Sequence, residues 1–192
     1  MEKESELFYA ESRAAWRAWL QAHHATASSV WLLYYRKTSA VPSLSWSEAV
    51  DEALCFGWID SKTQKLDEER FRQFFCPRKP RSVWSKINKD KIVRLGQEGL
   101  MTPAGYAVIE RARQDGSWTI LDEVEALIIP PDLEAEFGKW PRAQGYFRGL
   151  SRTDQRNILQ WLVLAKRPET RKKRITEIAE LAHQQQKPKQ FR

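Results

Sequence analysis

The chain has 192 residues, a net charge of +7 and an isoelectric point near 9.5. This length is sufficient for a hydrophobic core that folds without disulfides or metals. No apolar run reaches the roughly 18 residues of a membrane span, and no apolar signal core follows the charged start from Met1 to Glu6, so we expect a cytoplasmic protein. The two cysteines, Cys55 and Cys76, form no CxxC motif, so we expect no disulfide framework, no metal site and no cofactor.

The positive charge is concentrated near the C-terminus. Residues 141–192 contain 13 Lys/Arg against 4 Asp/Glu, whereas residues 1–140 contain 19 against 21. Clustered cations attract phosphate groups, so nucleic-acid binding through the C-terminal helices is one hypothesis, although no groove-entering motif accompanies them. The cations concerned are Arg142, Arg148, Arg152, Arg156, Arg171, Lys172, Lys173 and Arg174.

The first part of the chain alternates helix and strand patterns. Ser12 is a suitable N-cap for a first amphipathic helix, and Val30 to Lys37 is rich in the β-branched and aromatic residues of a buried strand. Two further short strands are predicted over Trp58–Ser61 and Arg70–Cys76. These elements predict a small, mostly antiparallel sheet with flanking helices.

A helix between the first two strands is predicted to organise this region. Ser45 and Glu48 form a capping box at its start, and Gly57 suits its end. The residues expected on its buried face are Trp46, Val50, Ala53, Leu54 and Gly57. Those expected to lie mostly away from that face are Glu48, Asp51, Glu52 and Cys55.

Later helix starts are marked by capping residues and prolines. Thr102-Pro103 precedes a helix whose small residues imply tight helix contact. The run Ile128–Pro131 breaks any helix, so we place a boundary there: an N-terminal α+β unit over residues 1–129, a helical module over 130–185, and a disordered tail over 186–192. New helices are expected to begin near Pro131, Pro141, Ser151 and Pro168. The predicted fold is thus α+β and predominantly helical.

The best candidate for a site is a cationic loop beginning at Pro77. Two prolines stiffen it, and either Ser82 or Ser85 can cap the helix that follows. If the strand from Arg70 brings this loop beside Asp60, the carboxylate forms either a structural ion pair or half of a site in which it orients an Arg for an anionic ligand. The candidate ligand-binding residues are Asp60, Arg78, Lys79, Arg81, Ser82, Trp84 and Asn88.

Each candidate has a possible role and a structural alternative. Arg78, Lys79 and Arg81 would supply charge, and Trp84 would supply a face for stacking, although core packing is the favoured interpretation of a tryptophan in a chain with nine of them. Ser82 and Asn88 would donate directional hydrogen bonds, but Asn88 also sits where Ser85 could cap the helix.

Catalysis has little support in the sequence. Neither thiol has a nearby His, no Gly-x-Ser-x-Gly elbow occurs, and Asp51 and Glu52 are adjacent rather than across a cleft. An enzyme of unknown reaction at the Asp60, Arg78 and Arg81 positions remains a third hypothesis.

Four segments carry a resemblance to a known family: Glu48–Asp60, Pro77–Asn88, Gly99–Gly105 and Ala165–Arg171. Together they resemble the YdeI/OmpD-associated family, also called the bacteriocin-protection or OmdA-like family, over most of residues 7–182. The last segment looks like the second module of that family. The resemblance implies a role in bacterial resistance to bacteriocins or antimicrobial peptides, with an outer-membrane porin as one candidate partner.

From the residues and the resemblance together we expect a non-enzymatic bacterial accessory protein of stress or bacteriocin protection, with a pocket for a small anionic or planar ligand. The rival hypothesis is a nucleic-acid-binding protein that uses the basic C-terminal helices. The sequence leaves the ligand, the partner and the oligomeric state open.

Overall fold

The computed structural model describes residues 6–192, so the charged residues 1–5, on which the expectation of a cytoplasmic protein partly rests, lie outside the described residues. The chain divides into two compact units, residues 1–118 and residues 119–192. This division falls before the predicted boundary at residue 129, because the segment before Pro130 already belongs to the helical second unit.

A four-stranded sheet forms the base of the first unit. Its strands are β1 (Leu7–Tyr9), β2 (Val30–Tyr35), β3 (Trp58–Lys65) and β4 (Arg70–Pro77), in the order β1-β2-β4-β3. β4 pairs antiparallel with both β2 and β3, whereas β1 pairs parallel with β2. The prediction of a small, mostly antiparallel sheet is therefore confirmed.

Four helices accompany this sheet: α1 (Arg13–His23), α2 (Trp46–Cys55), α3 (Lys86–Gln97) and α4 (Pro103–Gln114). Each begins after a hydroxyl side chain that accepts a hydrogen bond from a backbone N–H in the first turn. These N-caps are Ser12, Ser45, Ser85 and Thr102. The capping box of Ser45 and Glu48 is present. These local signals predicted the starts of α1, α2 and α4, and for α3 they left Ser82 and Ser85 as alternatives, because capping depends on residues within one turn.

Helix α2 is buried around its whole circumference from Ala49 to Cys55. The prediction that Asp51, Glu52 and Cys55 lie mostly away from the buried face was therefore wrong, as was the burial of Trp46, which is 49 % exposed. The physical reason is that neighbouring helices bring cations to both carboxylates.

Glu52 of α2 is held by α1. It accepts a hydrogen bond from Arg13 Nε at 2.5 Å and from Arg17 Nη1 at 2.6 Å. Asp51 faces α3 instead, where it pairs with Lys91 and Arg94. Charged groups are buried only when they are paired, and this arrangement, which we call the acid pair, joins three helices through α2.

Helix α4 approaches α2 closely because it carries small residues. A Cβ at Gly105 would collide with the carbonyl oxygen of Cys55, and Thr102 Oγ1 donates a hydrogen bond of 2.6 Å to the same oxygen. Gly57 follows α2 and has φ +74°. A Cβ at this position would lie 2.7 Å from the side chain of Val108. The predicted tight contact of this helix is thus present, and it depends on two positions without a Cβ.

The second unit consists of helices α5 (Asp122–Glu125), α6 (Pro131–Phe137), α7 (Ala143–Gly149), α8 (Arg152–Val163) and α9 (Pro168–His183). Four of these begin at or within two residues of the predicted starts. Its core is formed by apolar side chains from successive helices, among them Leu133, Phe137, Phe147, Ile158, Leu162 and Ile178. The α+β fold class with a helical C-terminal module is confirmed.

The residues that follow α9 pack against the helices of the second unit. Lys187 pairs with Asp154 at 2.8 Å, and Phe191, in a 3-10 turn over Lys189–Phe191, lies edge-on to Trp161 at 5.9 Å between ring centroids. Composition alone predicted a disordered tail over 186–192, and composition carries no information about such contacts. Throughout residues 6–192, the helices are too short or too polar to span a bilayer.

Candidate functional site

The loop after β4 is built around Arg78. Its backbone N–H donates to the carbonyl of Gly57 at 2.9 Å, and its guanidinium carbon lies 3.8 Å from the ring centroid of Trp84. Nη1 donates to the carbonyl of Val83 at 3.0 Å. Arg78 is only 5 % exposed, and this burial lowers its pKa to about 10. A cation is therefore held inside the protein by an aromatic ring and by carbonyl groups.

The buried charge of Arg78 is not neutralised by a carboxylate. Within residues 6–192 it forms no ion pair, and both its Nε and the Nε1 of Trp84 are buried without a hydrogen-bond acceptor. Asp60 acts on it only from a distance, by partly opposing the fall in the pKa of Arg78. An uncompensated buried cation is costly, so this site favours a negative charge nearby.

The loop is closed on itself. Ser82 Oγ donates to the carbonyl of Lys79 at 2.6 Å, and the backbone N–H of Arg81, at φ 58°, donates to Asp115 Oδ2 at 2.9 Å. The space between Arg78, Ser82 and α4 has no volume that a water molecule could occupy. The face for stacking predicted at Trp84 is therefore covered by Arg78 itself.

Asp60 and Asn88 are engaged elsewhere. Asp60 Oδ2 accepts hydrogen bonds from Trp46 Nε1 and Gln73 Nε2, each at 2.9 Å, and within the described residues it pairs with no Arg or Lys of the loop. The backbone N–H of Asn88 donates to the Ser85 cap at 3.3 Å. The structure thus brings Arg78, Lys79, Arg81, Ser82 and Trp84 together around the filled space of the loop, and it does not bring Asp60 or Asn88 there.

An open cleft of about 600 Å³ lies on the other side of Arg78. We call it the basic cleft. It is bounded by the segments after α1 and α2, by the end of β4 and by one face of α4. The lining residues that bear on its chemistry are His24, Phe56, Cys76, Arg78, Lys79 and Arg111. Its volume is that of an ordinary small-molecule site.

The charged side chains that line the basic cleft are all cationic. None of its described lining residues is acidic, and within residues 6–192 neither Lys79 nor Arg111 forms an ion pair. Arg111 Nη2 donates to the carbonyl of Arg78 at 3.0 Å, which holds its exposed side chain at the rim. Such an arrangement attracts anions.

His24 and Cys76 add polar groups to this cleft. The Nδ1 of His24 lies 2.9 Å from the carbonyl of Leu20, so Nδ1 carries the proton, and Nε2 is the nitrogen left for a ligand. Burial raises the pKa of Cys76, although Lys79 opposes the effect, and burial raises the pKa of Cys55 to about 11. Both thiols are therefore protonated at neutral pH and are poor nucleophiles.

Sequence reasoning missed His24, Cys76 and Arg111 as cleft residues. In the sequence, Cys76 indicates only that no CxxC motif is formed, and the helix after Thr102-Pro103 is predicted only to pack tightly. Arg111 follows Arg78 by 33 positions, and only the tight docking of α4 places it at the rim. No group of three potential metal ligands exists among residues 6–192.

Four of the eight cations proposed for nucleic-acid binding are engaged within the second unit. Arg156 pairs with Glu125 at 2.9 Å, and Arg171 contacts Asp132 through two hydrogen bonds of 2.6 and 2.9 Å. Two others donate to backbone carbonyls: Arg152 to Glu125, and Arg174 to Trp161. Nucleic-acid binding by these helices is therefore not supported.

Two family models match the chain, one on each side of the unit division. The first matches residues 8–108, which is more than half of the chain, and is described as a domain of unknown function (DUF8412). The chain belongs to this family. The second, OmdA, described as bacteriocin-protection, YdeI or OmpD-associated, matches residues 126–185. No curated protein and no solved structure matches the chain.

The resemblance to the YdeI/OmpD-associated family is thus confirmed, and the match lies on the C-terminal module that contains Ala165–Arg171. The other three segments of the resemblance lie inside the DUF8412 region. At the level of the family, the OmdA domain supports an accessory protein of the bacteriocin-protection type.

Proposed function

We propose that this protein is a non-enzymatic accessory protein of the bacteriocin-protection type whose N-terminal unit binds a small anion in the basic cleft. The observation that carries the proposal is the charge of the cleft. Arg78, Lys79 and Arg111 meet there, and within the described residues none of them is neutralised by a carboxylate.

Arg78 makes the strongest contribution to this argument. Its charge is buried under Trp84 and cannot be screened effectively by water, so its field acts on the adjacent cleft. A bound anion would offset the cost that burial imposes on this guanidinium. The two exposed cations, Lys79 and Arg111, could then donate hydrogen bonds to the anion directly.

The aromatic residues of the cleft limit the kind of ligand. Phe56 and Trp58 are 5 % and 1 % exposed, so they offer edges and not open ring faces. Stacking of a large planar ligand on them is therefore not favoured. A compact anion such as a phosphate or a carboxylate fits the cleft better than the planar alternative.

Anion binding is tested by isothermal titration calorimetry with inorganic phosphate, pyrophosphate and citrate as separate probes. Replacement of Arg111 by Gln removes one charged donor at the rim, so we expect the affinity for the preferred probe to fall about ten- to a hundredfold, the equivalent of one charged hydrogen bond.

Arg113→Gln is the matched control. Arg113 lies on the same helix and is exposed, but its nearest carboxylate is Glu110 at 3.9 Å and it does not line the cleft. Equal losses of affinity in the two variants, or no binding of any probe by the unmodified protein, would show that the cleft is not an anion site.

The rate at which Cys76 is alkylated also reports whether a ligand occupies the basic cleft. Cys55 is fully buried, whereas Cys76 is partly exposed in the cleft, so slow alkylation near pH 8 reports on Cys76 alone. A probe that binds in the cleft should slow this alkylation, and one that binds elsewhere should not.

The protective role is tested separately, in bacteria that express the unmodified protein or Arg111→Gln during exposure to a bacteriocin. We expect protection with the unmodified protein and reduced protection with the variant. Protection that is equal in both strains would separate the family role from the cleft, and no protection in either strain would reject the role.

A further inference from the structure

The hydrogen-bonding side chains of the basic cleft are of two kinds. Arg78, Lys79 and Arg111 carry N–H donors and no acceptor, so they attract every oxyanion without distinguishing one from another. His24 lines the same cleft, and a neutral imidazole has one nitrogen that accepts a hydrogen bond. This acceptor gives the cleft a means of selecting among anions.

The end of α1 fixes the orientation of the His24 ring. Nδ1 donates to the carbonyl of Leu20 at 2.9 Å, and the backbone N–H of His24 donates to the same oxygen at 2.8 Å. The carbonyl of His24 accepts a hydrogen bond of 3.2 Å from Trp58 Nε1, and the ring of Phe56 lies 5.1 Å away between centroids. The neutral ring is therefore held in the tautomer whose acceptor is Nε2.

The Nε2 atom of His24 is open to a ligand. Among residues 6–192 it has no hydrogen-bond partner, and it is not one of the polar atoms that the fold shuts off from water. The segment after α2 brings the apolar Phe56 against the ring and no charged group. His23, the neighbour on α1, lies against Trp19 and does not line the cleft.

The ionisable groups that share the cleft with His24 come from β4, the loop and α4. They are Cys76, Arg78, Lys79 and Arg111. Burial keeps the thiol of Cys76 protonated near neutral pH, and the other three are donors only. The hydroxyl of Ser28, which also lines the cleft, both donates and accepts, so it does not favour one anion over another. The distinguishing acceptor is thus His24.

An anion that carries a proton fits this combination of groups. Its charged oxygens accept hydrogen bonds from the cations, while its O–H group donates to Nε2 of His24. An anion without a proton places an oxygen lone pair against the lone pair of Nε2 and leaves that nitrogen unpaired. Binding sites discriminate strongly against a ligand that lacks the hydroxyl their acceptor requires.

We propose that the basic cleft selects singly protonated inorganic phosphate, and that His24 accepts the hydrogen bond from its O–H group. The inference rests on the proposed function, because it requires an anion in the cleft. Near pH 8, hydrogen phosphate and sulfate are dianions of similar size, so the three cations attract both and His24 distinguishes them. A phosphate monoester has lost its protons at this pH and is expected to behave like sulfate.

The test is isothermal titration calorimetry of the full-length protein near pH 8, with inorganic phosphate, sulfate and methyl phosphate as separate probes. We expect phosphate to bind about tenfold more tightly than either other probe, as one hydrogen bond to a charged ligand allows. The preference is of this order because His24 is only partly buried, so water can satisfy Nε2 in part when sulfate is bound.

His24→Phe keeps an aromatic ring beside Phe56 and removes the acceptor, so the preference of the cleft for phosphate over sulfate should disappear. His23→Phe is the matched control, since His23 is exposed and does not line the cleft. This control should keep the full preference. Circular dichroism verifies that both variants are folded.

A second measurement needs no substitution. A histidine gains a proton as the pH falls from about 8 to about 5.5, and Nε2 then donates a hydrogen bond where it had accepted one. Sulfate remains a dianion over this range. The affinity of the unmodified protein for sulfate should therefore rise about tenfold, and the affinity of His24→Phe should rise much less.

The outcomes separate this inference from the proposed function. If no probe binds at either pH, the cleft is not an anion site and both proposals fail. If phosphate and sulfate bind equally near pH 8, the anion site stands and selection by His24 is rejected. A phosphate preference that persists in His24→Phe would also reject it, because another group would then be the acceptor.

Discussion

The two units of this protein handle charged side chains differently. The first unit buries two carboxylates: Glu52 is 1 % exposed and Asp51 is 5 % exposed, and each is held by two cations. The second unit places its ion pairs at the surface, where the side chains of Arg171 and Asp132 are 30 % and 44 % exposed. The distances within the pairs are similar, but the carboxylates differ in their exposure to water.

This difference determines what each pair contributes. Removal of the cations from Asp51 or Glu52 would leave a buried carboxylate that water cannot solvate, whereas an exposed pair is replaced by water at little cost. The acid pair of α2 is therefore expected to be essential for the first unit, and the ion pairs of the second unit are expected to be dispensable.

The largest effect is predicted for Glu52→Ala. The substitution removes the charge-assisted hydrogen bonds from Arg13 and Arg17 and leaves a buried void, so the free energy of unfolding should fall by about 3–5 kcal/mol. Urea denaturation of the full chain measures this change. A loss below about 1 kcal/mol would mean that the buried pair behaves like a surface pair.

Alanine in place of glycine inside a helix should have opposite signs in the two units. Gly105→Ala forces a Cβ against the carbonyl oxygen of Cys55, so the free energy of unfolding should fall by about 1–3 kcal/mol. Gly145 in α7 has open space around it, so Gly145→Ala should raise the free energy of unfolding by about 0.5–1 kcal/mol. Thermal denaturation of both variants checks the contrast.

Arg78→Met tests whether every buried charge in the first unit stabilises it. The variant loses the hydrogen bond to Val83 and the contact with Trp84, but it also removes an uncompensated cation from the interior. We expect the free energy of unfolding to change by less than about 1 kcal/mol. A loss as large as that of Glu52→Ala would show that Arg78 is a structural residue first.

The smallest effect is predicted for Asp132→Asn, and it should depend on pH. The hydrogen bond from Arg171 lowers the pKa of Asp132, so the pair stabilises the folded state above the unfolded pKa of about 3.9. Near pH 7 the variant should lose about 0.5 kcal/mol, and this difference should vanish as the pH falls through the lowered pKa. The midpoints of urea denaturation near pH 7 and at a pH below the lowered pKa of Asp132 measure this difference.

The sequence was informative where structure depends on near neighbours. Ser45 with Glu48, and Thr102 with Pro103, marked helix starts because a cap and its partners lie within one turn. The burial of Asp51 could not be predicted in this way, since its partners Lys91 and Arg94 follow it by 40 and 43 positions.

The candidate site shows the same limit. The sequence identified the cationic loop and the aromatic residue at Trp84, but it could not show that Arg78 would fold back onto that ring and fill the loop. The rim residue Arg111 lies on α4, and Asp115, which anchors the loop, caps the end of that helix; each is more than 30 positions from its partner in the loop. The docking of that helix depends on Gly105, whose role becomes visible only in three dimensions.

The acid pair also has a consequence for how the chain emerges during synthesis. The partners of Glu52, Arg13 and Arg17, are already made when α2 appears, so that side of the helix can close at once. Asp51 must wait until Lys91 and Arg94 have been added. Until then Glu52 of the nascent chain has its cationic partners and Asp51 does not. The first unit can therefore complete its folding only after α3 has left the ribosome.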